Sequence, residues 1–239
     1  MTELLGPAYK QLYENYYGDP VVAAQRRVTA NDTLDHIRQV IGDSRFEKIV
    51  DVGAGEGSLL EALDDAAIGE RLYALEISES GLHAIRARNL SRLVRCEGFD
   101  GYTIDAPDRF FDLAISVHVL EHVEHERMML RELCRVAKQL VIEVPVEHTI
   151  RVEKSIRVGS PYGHINFYSP SVAANRLETS GFRIIRSKVV MQSLQYEQMC
   201  SGKTKGLAKY VLRRGLLNAA PKMAPFLLTY AFIALCEPA

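Results

Sequence analysis

The sequence predicts an α/β fold built around a mostly parallel β-sheet. From residue 48 onward, short apolar runs of strand length alternate with segments of helical periodicity. Strands that alternate with helices pair in parallel, because each helix carries the chain back across the sheet. A chain of 239 residues with 47% hydrophobic and 25% charged content is long enough for one such domain with its own core.

The order of the elements follows from these runs. We expect strands at approximately 48–52, 71–76, 92–96, 111–117, 139–144, 182–190 and 226–236. Helices fill most of the gaps, at 57–66, 79–89, 121–137 and 170–180. A long insertion, residues 191–225, separates the last two strands.

The N-terminal region, residues 1–42, is predicted as two helices that break near Gly18 and Pro20, and the main domain is predicted to cover 43–239. The first helix carries a stripe of tyrosines on one face, at positions 9, 13, 16 and 17. Such a stripe either packs against the rest of the protein or closes over a bound substrate as a helical lid.

The first strand leads into a glycine-rich turn that contains Gly53, Gly55 and Gly57. Glycine permits positive φ and lets a ligand press against the main chain where a Cβ would clash. Nineteen residues after Gly57, Glu76 ends the second apolar run. A carboxylate at that position can accept hydrogen bonds from both hydroxyls of a ribose, so the unit predicts a nucleotide-like ligand.

Asp51, near the end of the first strand, helps to decide which nucleotide-like ligand is expected. A dinucleotide fold places a G-x-G-x-x-G loop over a pyrophosphate, whereas the spacing here is G-x-G-x-G. The carboxylate of Asp51 would repel a pyrophosphate but attract an ammonium group. A ligand that carries both a ribose and an ammonium group indicates S-adenosylmethionine (SAM).

Residues 30–190 resemble the class I SAM-dependent methyltransferases, in particular the small-molecule branch with a Leu-Glu-His-Val segment, here residues 120–123. The resemblance implies a Rossmann-like, seven-stranded, mostly parallel sheet with helices on both faces. It also implies a reversed last strand, antiparallel at one edge of the sheet, which would lie at 225–232. The activity implied is transfer of a methyl group from SAM.

Further cofactor contacts are expected beyond the carboxyl ends of the strands, where ligands sit in open α/β sheets. Ile77 would pack on one face of the adenine, and Asp100, beside Phe99, would accept a hydrogen bond from its exocyclic amine, unless Asp100 is only a surface loop acid. Ser116 and Val117 would approach the methionine part by their backbones. Two arginines, Arg26 and Arg27, either reach the methionine carboxylate or lie on a solvated face.

Three hypotheses compete for the histidines beside the expected methyl position. In the first, a histidine is the general base for a substrate hydroxyl. His118 is the first candidate for this base, His164 the second, and His122 a further one. In the second, a divalent metal is held by four residues: His118, Glu121, His122 and His164. In the third, Glu121 and His122 only cap and pack a helix. The spacing of His118, Glu121 and His122 is i, i+3 and i+4, which would place these three residues on one side of a helix.

The metal hypothesis draws on a likeness to the Glu-x-x-Glu-His segment of ubiquinone-pathway O-methyltransferases and plant small-RNA 2′-O-methyltransferases. Here His118 replaces the first glutamate. A set of three imidazoles and one carboxylate favours zinc, iron or manganese over magnesium.

The insertion at 191–225 is basic, and the chain has no acidic residue between Gln198 and Leu235. It is interpreted as an amphipathic cap on the sheet, as an attraction site for an anionic substrate, or as a contact surface for an acidic membrane leaflet that carries a lipid-linked substrate.

Composition narrows the class of protein. A net charge of −1 and no recognition motif argue against a nucleic-acid binder. Four widely spaced cysteines, no visible signal peptide and no apolar run of transmembrane length favour the cytoplasm. We expect a SAM-dependent methyltransferase of a small molecule, with a hydroxyl oxygen as acceptor on a sugar or a hydroxylated metabolite. The alternative is a SAM-binding protein that has lost methyl transfer and regulates, or catalyses another reaction.

Overall fold

The computed structural model describes residues 20–153, 156 and 163–239. Seven strands form one sheet in the order β3-β2-β1-β4-β5-β7-β6. Their bounds are β1 Lys48–Val52, β2 Arg71–Glu76, β3 Leu93–Gly98, β4 Phe111–Val117, β5 Ala137–Val146, β6 Phe182–Val190 and β7 Tyr230–Pro238. β7 is antiparallel to both of its neighbours, and the pairs among β1 to β5 are parallel. The predicted fold class is therefore confirmed.

The helices of the described residues connect these strands. Their bounds are α1 Pro20–Ile41, α2 Ser58–Asp65, α3 Glu79–Ala87, α4 Glu126–Val136, α5 Pro170–Glu178, α6 Leu194–Ser201, α7 Lys203–Ala219 and α8 Ala224–Leu227. None of them is long and apolar enough to cross a membrane.

The alternation of side chains along the strands divides the core into two layers. Val50, Ala114 and Ile142 face one layer, which α4 and α5 cover with Leu130 and Leu177. The neighbouring strand residues face the other layer, covered by α1, α2 and α3. Burial of apolar area on both faces of the sheet is the main favourable contribution to its free energy of folding. Because helices cover both faces, a ligand is expected at the carboxyl ends of the parallel strands.

Helix α1 begins at Pro20, close to the predicted break. Its C-terminal half is part of the core, since Leu34, Ile37 and Val40 are buried against α2 and the sheet. The tyrosine stripe and the first predicted helix lie outside the described residues, so the lid stays a prediction.

The last predicted strand differs from the structure in two ways. The last strand begins at Tyr230 instead of residue 226, because Ala224–Leu227 forms the short helix α8, with Pro225 in its first turn. That strand also lies inside the sheet instead of at an edge, where β6 stands. The apolar β7 suits an interior position, whereas β6 carries Arg183, Arg186 and Lys188, charges that protect an exposed edge.

Candidate functional site

The predicted glycine turn lies between β1 and α2. Its three glycines have positive φ, 80° at Gly53, 57° at Gly55 and 85° at Gly57. A Cβ at Gly53 would overlap the side chain of Val119, in the turn that follows β4. The glycine turn and the histidine segment are therefore in direct contact.

Glu76, the last residue of β2, fixes the turn through its carboxylate. One oxygen, Oε2, accepts a hydrogen bond from Gly55 N at 2.8 Å, and Oε1 accepts one from Ser78 N at 3.0 Å. Each carboxylate oxygen has a second lone pair, so Glu76 retains acceptor capacity for ligand hydroxyls. Burial raises the pKa of Glu76, although these backbone donors oppose the effect.

Asp51 is 2% exposed and lies beside this turn. Burial raises its pKa to about 7, and the nearby charges of Glu76 and Glu56 add to the effect. No cation pairs with Asp51 in the part of the chain that the structure describes. A buried, uncompensated acidic group fits a ligand that brings a positive charge and hydroxyls, as SAM does.

The other predicted cofactor residues lie at the same edge of the sheet. Phe99 is half-buried, and its backbone N donates to Glu76 O at 3.3 Å; Ile77 is half-buried next to Glu76. Asp100 is exposed, and its Oδ1 accepts from Tyr102 N and Thr103 N. Burial would raise the pKa of Asp100, but these two donors outweigh burial and lower the pKa. Their contacts with adenine stay a prediction.

Two further predicted residues end β4. Val117 is half-buried, and Ser116 is buried with its Oγ unpartnered by any described atom. An orphaned buried hydroxyl beside a ligand edge fits a group that a ligand would satisfy.

Of the two N-terminal arginines, only Arg26 approaches the glycine turn. Its Nε lies 3.9 Å from Glu56 Oε2, whereas Arg27 is exposed on α1. Contact of either arginine with the methionine carboxylate stays a prediction.

The helix predicted over 121–137 begins only at Glu126. His118 has a left-handed backbone with φ of 54°, and residues 120–122 form a single 3-10 turn. The carbonyl of Glu121 accepts hydrogen bonds from Ile165 N and Asn166 N instead of from its own helix. The helical spacing argument for His118, Glu121 and His122 was therefore wrong, because a distant loop captures the backbone of this segment.

His118 lies between two buried carboxylates. Its Nδ1 is 3.3 Å from Glu121 Oε1, and its Nε2 is 3.5 Å from Glu143 Oε1. Burial alone would lower the pKa of His118, but hydrogen bonding and charge attraction from both glutamates outweigh it and raise the pKa to about 10. His118 is therefore a cation at neutral pH.

Glu143 and His36 belong to the same group, although the sequence argument did not select them. Oε2 of Glu143 lies 3.1 Å from His36 Nδ1, and His36 Nε2 lies 3.2 Å from Met191 O. Burial would raise the pKa of Glu143, but His118 and His36 lower it. The signal in the sequence was a single acid inside the apolar strand β5, which is costly unless it is paired.

A second group brings together Glu121, His122 and His164. One possible ligand atom from each lies within 4.8 Å of the others. Oε2 of Glu121 is buried and has no described partner. His122 Nδ1 lies 3.3 Å from Gly163 O, and His164 Nδ1 lies 2.6 Å from Glu147 Oε2. Three of the four predicted metal ligands therefore meet here. The fourth, His118, lies outside this group, between Glu121 and Glu143.

The two imidazoles of this group touch each other. Their ring centroids are 4.8 Å apart in an edge-to-face arrangement. Burial lowers the pKa of His122, and the neighbouring His164 adds to that effect against the attraction of Glu121. His122 is therefore neutral at physiological pH, the form in which an imidazole can ligate a metal.

The comparisons with known proteins agree with this geometry. The model of a family described as "Methyltransferase domain" matches residues 23–187, more than half of the chain. The chain therefore belongs to that family, and the resemblance to class I SAM-dependent methyltransferases is confirmed. One relative, YrhH of Bacillus subtilis (strain 168), is 25% identical over 114 residues, which are 46% of this chain. The match spans 63% of the length of that relative.

Solved structures show the same fold at low identity. A SAM-dependent methyltransferase from Aquifex aeolicus has a TM-score of 0.58 and 19% identity over 98% of this chain and 100% of that one. Geranyl diphosphate C-methyltransferase from Streptomyces coelicolor A3(2) has a TM-score of 0.67 and 12% identity over 98% and 99%. The [4+2]-cyclase SpnF has a TM-score of 0.61 and 19% identity over 87% and 81%.

Proposed function

We propose that this protein transfers a methyl group from SAM to an oxygen of a small molecule, such as a sugar or a hydroxylated metabolite. The observation that carries the proposal is the contact of Gly53 with Val119. This contact joins the acidic, glycine-lined site to the histidines, of which His118 and His164 are paired with carboxylates. SAM supplies an electrophilic methyl group on a sulfonium, which a nucleophile displaces in line.

Asp51, Glu76 and the glycine turn would hold this cofactor. Glu76 would accept hydrogen bonds from the ribose hydroxyls, and Asp51 would face the ammonium group. The pKa of about 7 means that Asp51 is partly protonated without a ligand. A bound cation would favour the ionised carboxylate and lower that pKa.

His164 is the base that the geometry supports best. The pKa of His118 near 10 makes it a poor proton acceptor at neutral pH, so its assignment as first candidate is not the one we propose. His164 is oriented by Glu147 at 2.6 Å, the arrangement that fixes a histidine base and stabilises its charged form. As the new C–O bond forms and the C–S bond breaks, the hydroxyl proton passes to the imidazole of His164.

His118 would have an electrostatic and positioning role. Its positive charge lies between Glu121 and Glu143, which are both fully buried, and it would hold the turn after β4 against the glycine turn. Without that charge, Glu121 would lose its cationic partner and Glu143 would retain only His36.

A divalent metal at Glu121, His122 and His164 is a second candidate for activating the hydroxyl. Two observations favour it: the orphaned Oε2 of Glu121, and the engagement of both Nδ1 atoms with outer acceptors, Gly163 O and Glu147. Histidine ligands of metals are usually oriented by such acceptors. The metal would orient and acidify the substrate oxygen.

The metal test does not need turnover. The protein, stripped with chelator, is titrated with Co²⁺ and followed by visible absorption and by calorimetry. We expect one site per chain that is lost in Glu121→Gln and kept in Glu124→Gln, a neighbouring acid that lies outside the group. No Co²⁺ site, or equal binding by both variants, would overturn the metal hypothesis and leave His164 as the base.

The test of the main proposal is label transfer. The protein is incubated with methyl-labelled SAM and a panel of hydroxylated acceptors, matched with amine and carbon nucleophiles of similar size. We expect label on oxygen and stoichiometric S-adenosylhomocysteine. Binding of S-adenosylhomocysteine without transfer to any member would favour the alternative, a SAM-binding protein with another activity, as the fold of the cyclase SpnF allows.

A further inference from the structure

A pocket of about 320 Å³ opens beside the histidine group. Its walls come from the loop 147–151 after β5, from one side of α7 between Lys209 and Arg213, and from the chain at 227–229. The volume lies at the lower end of small-molecule sites, so it suits a headgroup better than a large, fully enclosed ligand.

Positive charge prevails in this pocket. It is lined by Arg151, Lys209 and Arg213 against one acid, Glu147, which pairs with His164. Arg213 is neutralised by the buried Glu197 and also donates to Thr229 O. Two of these four charged groups, Arg213 and Glu147, therefore already have a charged partner.

The remaining cations are available to a ligand. Lys209 Nζ donates to Ser201 Oγ at 2.7 Å, a neutral partner that leaves the charge uncompensated. Among the described residues, neither Lys209 nor Arg151 has a carboxylate partner. No acid occurs between Gln198 and Leu235, so the adjoining chain offers none. Two such cations lining one pocket favour a phosphate-type anion.

Apolar side chains line the pocket as well. Leu212, which is 62% exposed, and Leu227 line it directly. Beyond them Ile150, 73% exposed, lies next to Phe226, since Ile150 N donates to Phe226 O at 2.9 Å. Lys209 and Leu212 are three residues apart on α7, so the cation and the apolar side chain share one face of the helix.

This surface changes the interpretation of the insertion. The insertion is therefore more than a cap packed on the sheet, because Leu207 and Leu212 of α7 are exposed. A folded domain rarely leaves several large apolar side chains around a basic pocket without a ligand or surface to cover them.

The pocket also shares a wall with the proposed reaction site. Glu147 lines it and lies 2.6 Å from His164, whose ring touches His122. A ligand in the pocket therefore lies one side chain away from the proposed base.

We infer that this pocket binds the phosphate-type group of an amphiphilic acceptor, whose apolar part lies across Leu212, Leu227 and Phe226. The role of this ligand as methyl acceptor rests on the proposed function, whereas the binding of an amphiphilic anion does not. A soluble phosphorylated amphiphile and the headgroup of an anionic lipid share this chemistry.

The experiment measures binding without turnover. Decyl phosphate below its micelle concentration is titrated calorimetrically, with decanol and inorganic phosphate as partial ligands. In a second arm, the protein is sedimented with phosphatidylcholine vesicles with and without phosphatidic acid. We expect decyl phosphate to bind at least about tenfold more tightly than either partial ligand, because charge and apolar contacts act together.

Variants separate the pocket from general charge. Lys209→Gln and Arg151→Gln should each weaken binding about fivefold or more, whereas Lys205→Gln, which removes the same charge from α7 outside the pocket, should not. Leu212→Ser should remove the advantage of decyl phosphate over inorganic phosphate, and the exposed Val211→Ser should keep it.

Each outcome decides the inference. Binding of decyl phosphate that depends on Lys209 and Leu212 supports a soluble amphiphile, and binding only to phosphatidic acid vesicles with the same dependence supports a lipid. Equal binding by pocket and control variants, or no binding in either arm, overturns it. A heat-shift test with S-adenosylhomocysteine on the same samples reports the cofactor site, so failure of the pocket is distinguishable from failure of the proposed function.

Discussion

The imidazole of His118 lies between Glu121 and Glu143, with Nε2 3.5 Å from Oε1 of Glu143. Glu143 in turn lies 3.1 Å from His36 on α1. The four side chains form a continuous group, in which His36, Glu121 and Glu143 are buried and His118 is half-buried, and this group connects the N-terminal helix with the turn after β4. The charge of His118 therefore contributes to the stability of the site as well as to its electrostatics.

Replacing this cation should destabilise the protein in a pH-dependent way. Because the folded pKa of His118 is raised from 6.5 to about 10, its stabilisation is fully present below about pH 6.5 and is lost as the pH rises through 10. We expect His118→Gln to lower the free energy of unfolding by about 3 kcal/mol at pH 6 and by less at pH 10. Urea unfolding at both pH values measures this, with the exposed His83→Gln as control. An equal loss at both values would contradict the charged state.

Asp51 should oppose stability and favour cofactor binding. Its folded pKa is raised from 3.8 to about 7, so the cost of burying its charge develops as the pH rises from about 4 through 7. That change corresponds to roughly 4 kcal/mol as an upper limit. We expect Asp51→Asn to raise the free energy of unfolding at pH 8 by on the order of 2 kcal/mol.

The same substitution should weaken S-adenosylhomocysteine binding. In the wild type, affinity should increase between pH 5.5 and 7.5 as Asp51 ionises, and the variant should lack this increase. Calorimetry at several pH values, with urea unfolding of the ligand-free protein, makes both measurements. A variant that loses stability and keeps its affinity would show that Asp51 has only a structural role.

Gly53 should tolerate no side chain. Its φ of 80° disfavours other residues, and a Cβ would overlap Val119. We expect Gly53→Ala to lower the free energy of unfolding by about 2 kcal/mol and to weaken cofactor binding at least about tenfold. Gly42→Ala is the matched control, since φ there is 60° and its nearest neighbour, Arg186, lies at 3.5 Å. Val119→Ala, added to Gly53→Ala, should restore part of the loss. If Gly53→Ala cost no more than Gly42→Ala, and Val119→Ala restored nothing, the contact between the glycine turn and the turn after β4 would have no energetic role.

The proposed base should affect turnover and leave cofactor affinity nearly unchanged. We expect His164→Gln to lower kcat by about 100-fold or more, and Glu147→Gln to lower it by a smaller factor, because the carboxylate only orients the imidazole. His148→Gln, an exposed histidine on the same loop, is the control. Steady-state kinetics with an acceptor from the panel, beside calorimetry with S-adenosylhomocysteine, tests this. A loss confined to cofactor binding would rule out His164 as the base.

Local patterns predicted much of the fold. The strands at 48–52, 71–76, 111–117 and 182–190 have the predicted bounds. The first three are buried parallel strands, which are short apolar runs between turn residues. The glycine turn was also predictable, since its positive φ values require particular residues.

Tertiary contacts decided the rest. The turn at 118–125 is not helical because Ile165 N and Asn166 N bind the carbonyl of Glu121 from a loop more than forty residues away. The pKa of His118 depends on Glu143, from a neighbouring strand, and no sequence spacing relates the two. The position of β7 inside the sheet likewise depends on pairing across the long insertion.

The most direct test of the central claim is calorimetric titration of S-adenosylhomocysteine into the wild type and Glu76→Gln, with the exposed Glu79→Gln as control. We predict one molecule bound per chain, affinity at least about tenfold lower in Glu76→Gln, and no change in the control, because Glu76 holds the glycine turn and, in the proposed site, would bind the ribose. No binding by the wild type, or equal affinity of Glu76→Gln and the wild type, would contradict the proposed cofactor site.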